Sequence, residues 1–147
     1  MIRYRRISVH DPEYAGEKEL RHRVLRRPLE LALSEEDLRG EASQVHIVAQ
    51  DDAGKVVGCL LVLFSDERAK VRQLAVDAAY QGRSVGRTLM QLAEEAVRER
   101  HIGTVMLHAR VTARGFFERA GYAAVSDVFT EVTIPHVAME KRLEPCA

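Results

Sequence analysis

Apolar positions along the chain change period several times, and each change predicts an element. Ile2, Tyr4, Ile7 and Val9 alternate loosely with arginines and predict a short first strand. Asp11-Pro12 reads as a helix cap followed by a first-turn proline, opening a helix through Leu20, Val24 and Leu25 that Pro28 should end. Ser34-Glu35-Glu36-Asp37 offers a second cap, with an acid three residues on, for a short helix. Val45 to Gln50 and Val56 to Phe64 are β-rich runs joined by Asp51-Asp52-Ala53-Gly54-Lys55, a hairpin pattern. Lys70 to Val76 predicts a further strand. Val85, Leu89, Leu92, Ala93, Ala96 and Val97 then recur at helical spacing, with Arg and Glu opposite them. Thr104 to His108 is a buried-type strand, and Ala113 to Ala120 a short helix stopped by Gly121. Two last strands, about Ala123 to Phe129 and Val137 to Arg142, flank Ile134-Pro135-His136.

Hairpins and crossover helices together predict an α/β (α+β) fold with a mixed, mostly antiparallel sheet of six to seven strands and about four helices. The 147 residues carry no repeat, low-complexity tract or linker, so one domain spanning 1–147 is expected. Lys plus Arg and Asp plus Glu each number 22, and this zero net charge argues against nucleic acid as a partner. Cys59 lies in an apolar run and Cys146 beside the C-terminus, a spacing that suits neither a disulfide framework nor a metal site. The opening residues have no apolar signal region, and the longest apolar run falls far short of the ~18 residues of a membrane span. The expectation is a cytoplasmic protein with no membrane partner.

The chemistry concentrates between Lys70 and Arg98: a strand, the loop Gln81-Gly82-Arg83-Ser84-Val85-Gly86, then the long helix. Orphan N–H groups at a helix start, with the helix dipole behind them, make an anion site. Gly82 and Gly86 let backbone approach a phosphate, and Arg83 and Arg87 add positive charge at the mouth. Alone, such a turn is a weak signal, because many only connect elements, and the fingerprints of nucleotide-binding loops are absent.

Three motifs in order give the loop more weight. The strand Val71-Arg72-Gln73-Leu74-Ala75-Val76 with Gln81-x-x-x-x-Gly86 resembles motif A of the GNAT N-acetyltransferases, Q/R-x-x-G-x-G/A. Ala113-x-x-Phe116-Phe117-x-x-x-Gly121-Tyr122 is similar to that family's A-x-x-F-Y-x-x-x-G-F/Y. Phe129-x-Glu131-x-x-Ile134-Pro135-His136-x-x-Met139 resembles the tail of the ElaA-like branch.

The resemblance implies a cleft where two parallel central strands splay apart, here Lys70–Val76 and Thr104–His108, holding acetyl-CoA as cosubstrate with no metal. The diphosphate would sit on the N–H groups of Gln81, Gly82, Arg83, Ser84, Val85 and Gly86, beside Arg87. Backbone of Leu74, Ala75 and Val76 would meet the pantetheine arm, with Phe116 and Phe117 on its far side. The reaction implied is direct attack by a primary amine of a small-molecule or peptide acceptor on the thioester. Dimers are frequent among relatives, so a homodimer is an expectation of the same kind.

Two positions depart from the pattern. Ser84 stands at the first glycine of motif A, where either its φ is ordinary or some strain is accepted, and its side chain reads equally as a helix cap or a direct phosphate contact, which are compatible. Phe117 stands where many members carry a tyrosine that protonates the leaving thiolate, which motivates an alternative: a catalytically weak acyl-CoA-binding or sensing module. Tyr122 matches a core position. For the general base the candidates are His108, Glu131 and His136. His108 reads equally as a satisfied strand-end histidine, and Ile134-Pro135 as a turn with polar flanks. Arg110 has three readings, a CoA contact, an ion-pair partner or a solvated side chain. Cys59 lacks activating neighbours and reads as a small core residue. The N-terminal arginines, Arg21, Arg23, Arg26 and Arg27 among them, interleave with Glu13, Glu17 and Glu19 as a solvated face.

Overall fold

A computed structural model of the chain describes residues 1–144, so Cys146 lies outside the described residues. Its strands are β1 (Arg3–Ile7), β2 (Val45–Gln50), β3 (Val56–Ser65), β4 (Arg68–Val76), β5 (Thr104–Arg110), β6 (Ala123–Ala124), β7 (Phe129–Glu131) and β8 (Ile134–Arg142). They form one sheet in the order β1-β2-β3-β4-β5-β8-β6, with β7 also on β8. Among these strands β4 and β5 are the parallel pair, and every other pairing is antiparallel. The helices are α1 (Glu13–Arg21), α2 (Glu35–Leu38), α3 (Val85–Glu99) and α4 (Arg114–Arg119). Among the described residues no helix is long and apolar enough to cross a membrane.

Two cores explain why β3 is apolar nearly throughout: both of its faces are covered. On one face Leu89, Met90, Ala93 and Val97 of α3 pack with Ile47, Leu60, Val62, Val105 and Leu107. On the other, Leu20 of α1 packs with Ile7, Val48, Val56, Cys59 and Ala75. Cys59 is fully buried, and burial pushes its thiol well up from the ordinary range, so it is a core residue.

The sequence expectations need four corrections. The sheet has eight strand segments, because the edge expected as one strand from Ala123 to Phe129 is broken. Ser126 interrupts it, its hydroxyl accepting the Ala138 N–H at 3.0 Å in place of a ladder carbonyl. Ile134 to His136 belong to β8, and the turn before them is made by Val132 and Thr133 at positive φ. Pro12, not Asp11, is the cap residue of α1. The Asp11 carboxylate instead accepts the Ser8 N–H at 2.8 Å. Beyond Arg21 the helix continues as a π-turn over His22–Arg26 and a 3-10 turn over Arg27–Leu29 that contains Pro28. Ser34 makes the reciprocal capping box with Asp37, as its spacing predicts.

Candidate active site

β4 and β5 pair only through Ala69↔Val105, Lys70↔Met106 and Val71↔Leu107. Beyond Val71 they part, and β5 goes on pairing with β8 as far as Arg110↔His136. A β-bulge accompanies the parting. On β3, Cys59 faces Ala75 while Leu61 faces Arg72, so β4 holds one extra residue there, and Gln73 sits at φ 57°.

The loop after β4 lies at the mouth of that opening. Asp77 accepts the Ala79 N–H at 3.0 Å, and Gln81 Nε2 donates to the Val76 carbonyl at 3.3 Å, so the turn is held from below. Gly82 takes φ 78°, which its missing Cβ permits at little cost. Ser84 precedes α3 at φ 64°, ψ 14°, and its side chain caps nothing. Strain is therefore accepted at Ser84, and the side-chain cap considered for it is absent. The first bond into α3 runs from Thr88 N–H to Ser84 O at 3.0 Å, leaving Val85, Gly86 and Arg87 as the orphan donors of the helix. Among the described residues the N–H groups from Gly82 to Arg87 find no acceptor in the protein. Arg83 and Arg87 are exposed on this loop, Arg83 lying over the Tyr80 ring at 5.5 Å. Gly86 has a second reason to be glycine: a Cβ there would stand 3.3 Å from Phe116 Cζ.

Phe116 thus seals α4 against the start of α3. Phe117 is nearly buried, edge-on to Phe116 at 5.0 Å and to Tyr122 at 6.1 Å. Tyr122 is a core residue whose hydroxyl donates to Glu94 Oε2 at 2.9 Å, and burial with that carboxylate holds the phenol far above its ordinary range.

Two of the three base candidates, 23 positions apart, come together: His108 Nδ1 lies 2.7 Å from Glu131 Oε2. The Phe129 ring stands edge-on to His108 at 5.0 Å and stacks on His136. His136 does not join the pair. It is buried, and its Nδ1 lies 2.9 Å from the Ile134 carbonyl. A neutral His108 donating its Nδ1–H to Glu131 presents Nε2 as an acceptor. Arg110, two residues on and on the same strand face, donates to the Leu25 carbonyl at 2.7 Å. Burial and the charge of Arg26 lower its pKa from the ordinary guanidinium value.

The N-terminal charges are not all a solvated face. Glu17, Arg21, Glu41 and His46 are fully buried or nearly so between α1 and the sheet. Arg21 Nη1 and Nη2 donate to the two Glu41 oxygens at 2.9 and 2.6 Å, and Nη1 lies 3.4 Å from Glu17. His46 places Nδ1 on Glu17 at 2.9 Å and Nε2 on the Glu41 carbonyl at 2.8 Å. Tyr14 donates to Glu41 at 2.7 Å and Arg72 does so at 3.0 Å. Arg26 is also buried, paired with Asp37 at 2.8 Å. A signal was present in the sequence: Glu17 and Arg21 stand four apart and flank Leu20 on the apolar side of α1. Donor atoms of Glu17, Glu41 and His46 lie within 4.8 Å of one another, a spacing a metal could use, but the Arg21 guanidinium bonds both carboxylates and supplies the balancing charge.

Comparison with known proteins bears on this geometry. Residues 11–143 match the family described as "Acetyltransferase (GNAT) domain". A Bacillus subtilis protein with a provisional acetyltransferase name is 30% identical over 86 residues, 58% of each chain. A second B. subtilis protein, YyaT, is 31% identical over 75 residues, 51% of each chain. The matched stretches therefore span only about half the length of these relatives. Among solved structures, a provisionally named N-acetyltransferase from Lactobacillus plantarum superposes with TM-score 0.87 at 23% identity, over 97% of this chain and 99% of that one. Escherichia coli ElaA gives 0.81 at 22%, over 96% and 99%. The PaiA N-acetyltransferase of Thermoplasma acidophilum, solved in complex with coenzyme A, gives 0.76 at 17%, over 97% and 99%. At such identities these likenesses establish the fold.

Proposed function

The chain belongs to the GNAT acetyltransferase family, and from that premise we propose that it is a single-domain N-acetyltransferase moving the acetyl group of acetyl-CoA to a primary amine. The observation that carries this is the parting of β4 and β5 beyond Val71, with the unpaired N–H run from Gly82 to Arg87 at its mouth.

In this proposal the diphosphate rests on those N–H groups, with Arg83 and Arg87 adding charge. The pantetheine arm runs along Leu74, Ala75 and Val76, with Phe116 and Phe117 on the far wall. A backbone N–H of Leu74 or Val76 receives the thioester carbonyl, where charge collects as the amine attacks, and a donor fixed in place stabilises that charge without reorganising. Holding amine and thioester side by side supplies the other large effect.

An alkyl amine of pKa ~10.4 costs about 4–5 kcal/mol to deprotonate at pH 7. His108 is the base in this reading: Nε2 takes the proton, directly or through one water, while Glu131 orients the ring. The amine nitrogen bonds to the acetyl carbon, the C–S bond breaks, CoA leaves as thiolate, and the second proton that nitrogen loses passes to water. Phe117 cannot protonate that sulfur, but thiols near pKa ~8.5 leave tolerably without an acid. Arg110 uses one of its five N–H donors on the Leu25 carbonyl, which anchors the side chain and leaves other donors for a CoA contact.

The test is acetyl-CoA-dependent thiol release across a panel of amines. Intersecting initial-rate lines are expected, and His108→Gln should lower kcat by about 10²–10⁴-fold. A ping-pong pattern contradicts direct attack. Phe117 favours one second reading, an acyl-CoA-binding or sensing module, which saturable CoA binding without product on any amine would establish in place of the first.

A further inference from the structure

Consecutive strand residues point to opposite faces of a sheet, yet Arg72 and Gln73 of β4 both bond into the buried charge network between α1 and the sheet. Arg72 Nη1 donates to Glu41 at 3.0 Å and to Gln44 at 2.9 Å, and its Nη2 donates to the Asp37 carbonyl at 2.7 Å. Gln73 Oε1 accepts from Arg21 Nε at 3.1 Å. Two neighbouring side chains can share a face only because Gln73 is left-handed and β4 carries its extra residue there. Pairing with β5 stops at Val71, immediately before these two residues.

We propose that Arg21, through Gln73 and with Arg72 tied to the same Glu41, is a positioning residue that pins the β4 bulge and so keeps the cleft between β4 and β5 open to the carrier thioester. This rests on the functional reading above and adds to it the device that sets the strand spacing. The burial supports it. Fully buried ion pairs add little net stability over an apolar core, so a role in specifying one backbone geometry accounts for the network better than stabilisation does. The left-handed Gln73 would relax toward a regular strand if its side chain were released, bringing Leu74 and the residues after it back toward β5. Arg21 touches no substrate in this scheme and acts through the conformation of residues 72–74.

The probe is free CoA, titrated by calorimetry under conditions where each variant is folded, with urea unfolding measured in parallel. Gln73→Leu removes the acceptor of the Arg21 bond at a half-buried position and should weaken CoA binding about tenfold. Gln73→Ser, too short to reach Arg21, should show the same loss and stands in if the leucine variant does not fold. Gln73→Glu, which keeps an acceptor for Arg21, should return the affinity to within threefold of wild type. A merely structural role would lower the urea midpoint and leave the dissociation constant of the folded protein unchanged, and affinities within threefold of wild type for Leu and Ser overturn the proposal. If wild type itself binds no CoA, the functional reading has failed and this proposal falls with it; if wild type binds and the variants bind equally, only this proposal falls.

Discussion

Gly86 offers the sharpest test of the anion site, because two substitutions of equal bulk there separate charge from crowding. A Cβ at this position stands 3.3 Å from Phe116 Cζ and 3.8 Å from Val76 Cγ2, so the Phe116 ring must give by a few tenths of an ångström. Phe116 is only partly buried and can do so, while replacing a helical glycine recovers about 0.5–1 kcal/mol of helix propensity. Gly86→Gln should therefore fold and lose only a few-fold in CoA affinity. Gly86→Glu adds the same volume and one negative charge beside the proposed diphosphate. At a separation of about 6 Å and an effective dielectric near 30, between the surface and bulk-water limits, one pair of like charges costs about 2 kcal/mol, a factor of roughly 30 in the dissociation constant. That ratio between the Glu and Gln variants, read by calorimetric titration with CoA, should shrink as salt is raised from about 0.05 M to 0.5 M, where the Debye length falls from about 14 Å to about 4 Å. A glutamate variant that is folded and binds CoA as well as its glutamine counterpart at low salt would refute the placement of the diphosphate on this loop.

Two further outcomes follow from the backbone and the buried charges. Ser84 holds a left-handed conformation that costs an L-residue about 1–2 kcal/mol, and its side chain makes no cap bond. After the greater unfolded-state freedom of glycine is deducted, Ser84→Gly should stabilise the fold by about 0.5–1 kcal/mol in urea unfolding; a loss of stability would show that the hydroxyl does something the geometry does not reveal. For His46, burial opposes the charged ring, but the Glu17 carboxylate and the Glu41 carbonyl outweigh it and raise its pKa above the ordinary 6.5. Its contribution is thus complete below pH 6.5 and disappears as pH rises through the folded value. Glu41 has the opposite sign: burial opposes its charge, Arg21 and its other partners lower its pKa below 4.5, and its contribution fades as pH falls from there. Urea midpoints across pH 4–9, with His46→Gln as the reference, should show the wild-type advantage shrinking above pH 6.5, and an advantage that grows there would reverse the assignment.

What the linear chain determined by itself is whatever local chemistry decides. The hairpin over Asp51–Lys55, the Ser34 capping box, the amphipathic stripe of α3 and the loop from Gln81 to Gly86 follow from period, turn residues and caps, each spanning a few neighbouring positions. Even the parting of β4 from β5 was reachable, by way of the motif order that resembles a known family. The tertiary structure alone decided three things. It broke the last edge strand at Ser126, it brought Glu131 onto His108, and it turned Glu17 and Arg21 from an expected wet surface into a buried network with Glu41 and His46. Those outcomes depend on partners distant in sequence, such as Ala138 for Ser126, 12 positions away, and Glu17 for His46, 29 positions away. A charged residue looks alike in the sequence whether water or a distant side chain surrounds its charge, and only packing α1 and residues 41–43 against the sheet excludes the water.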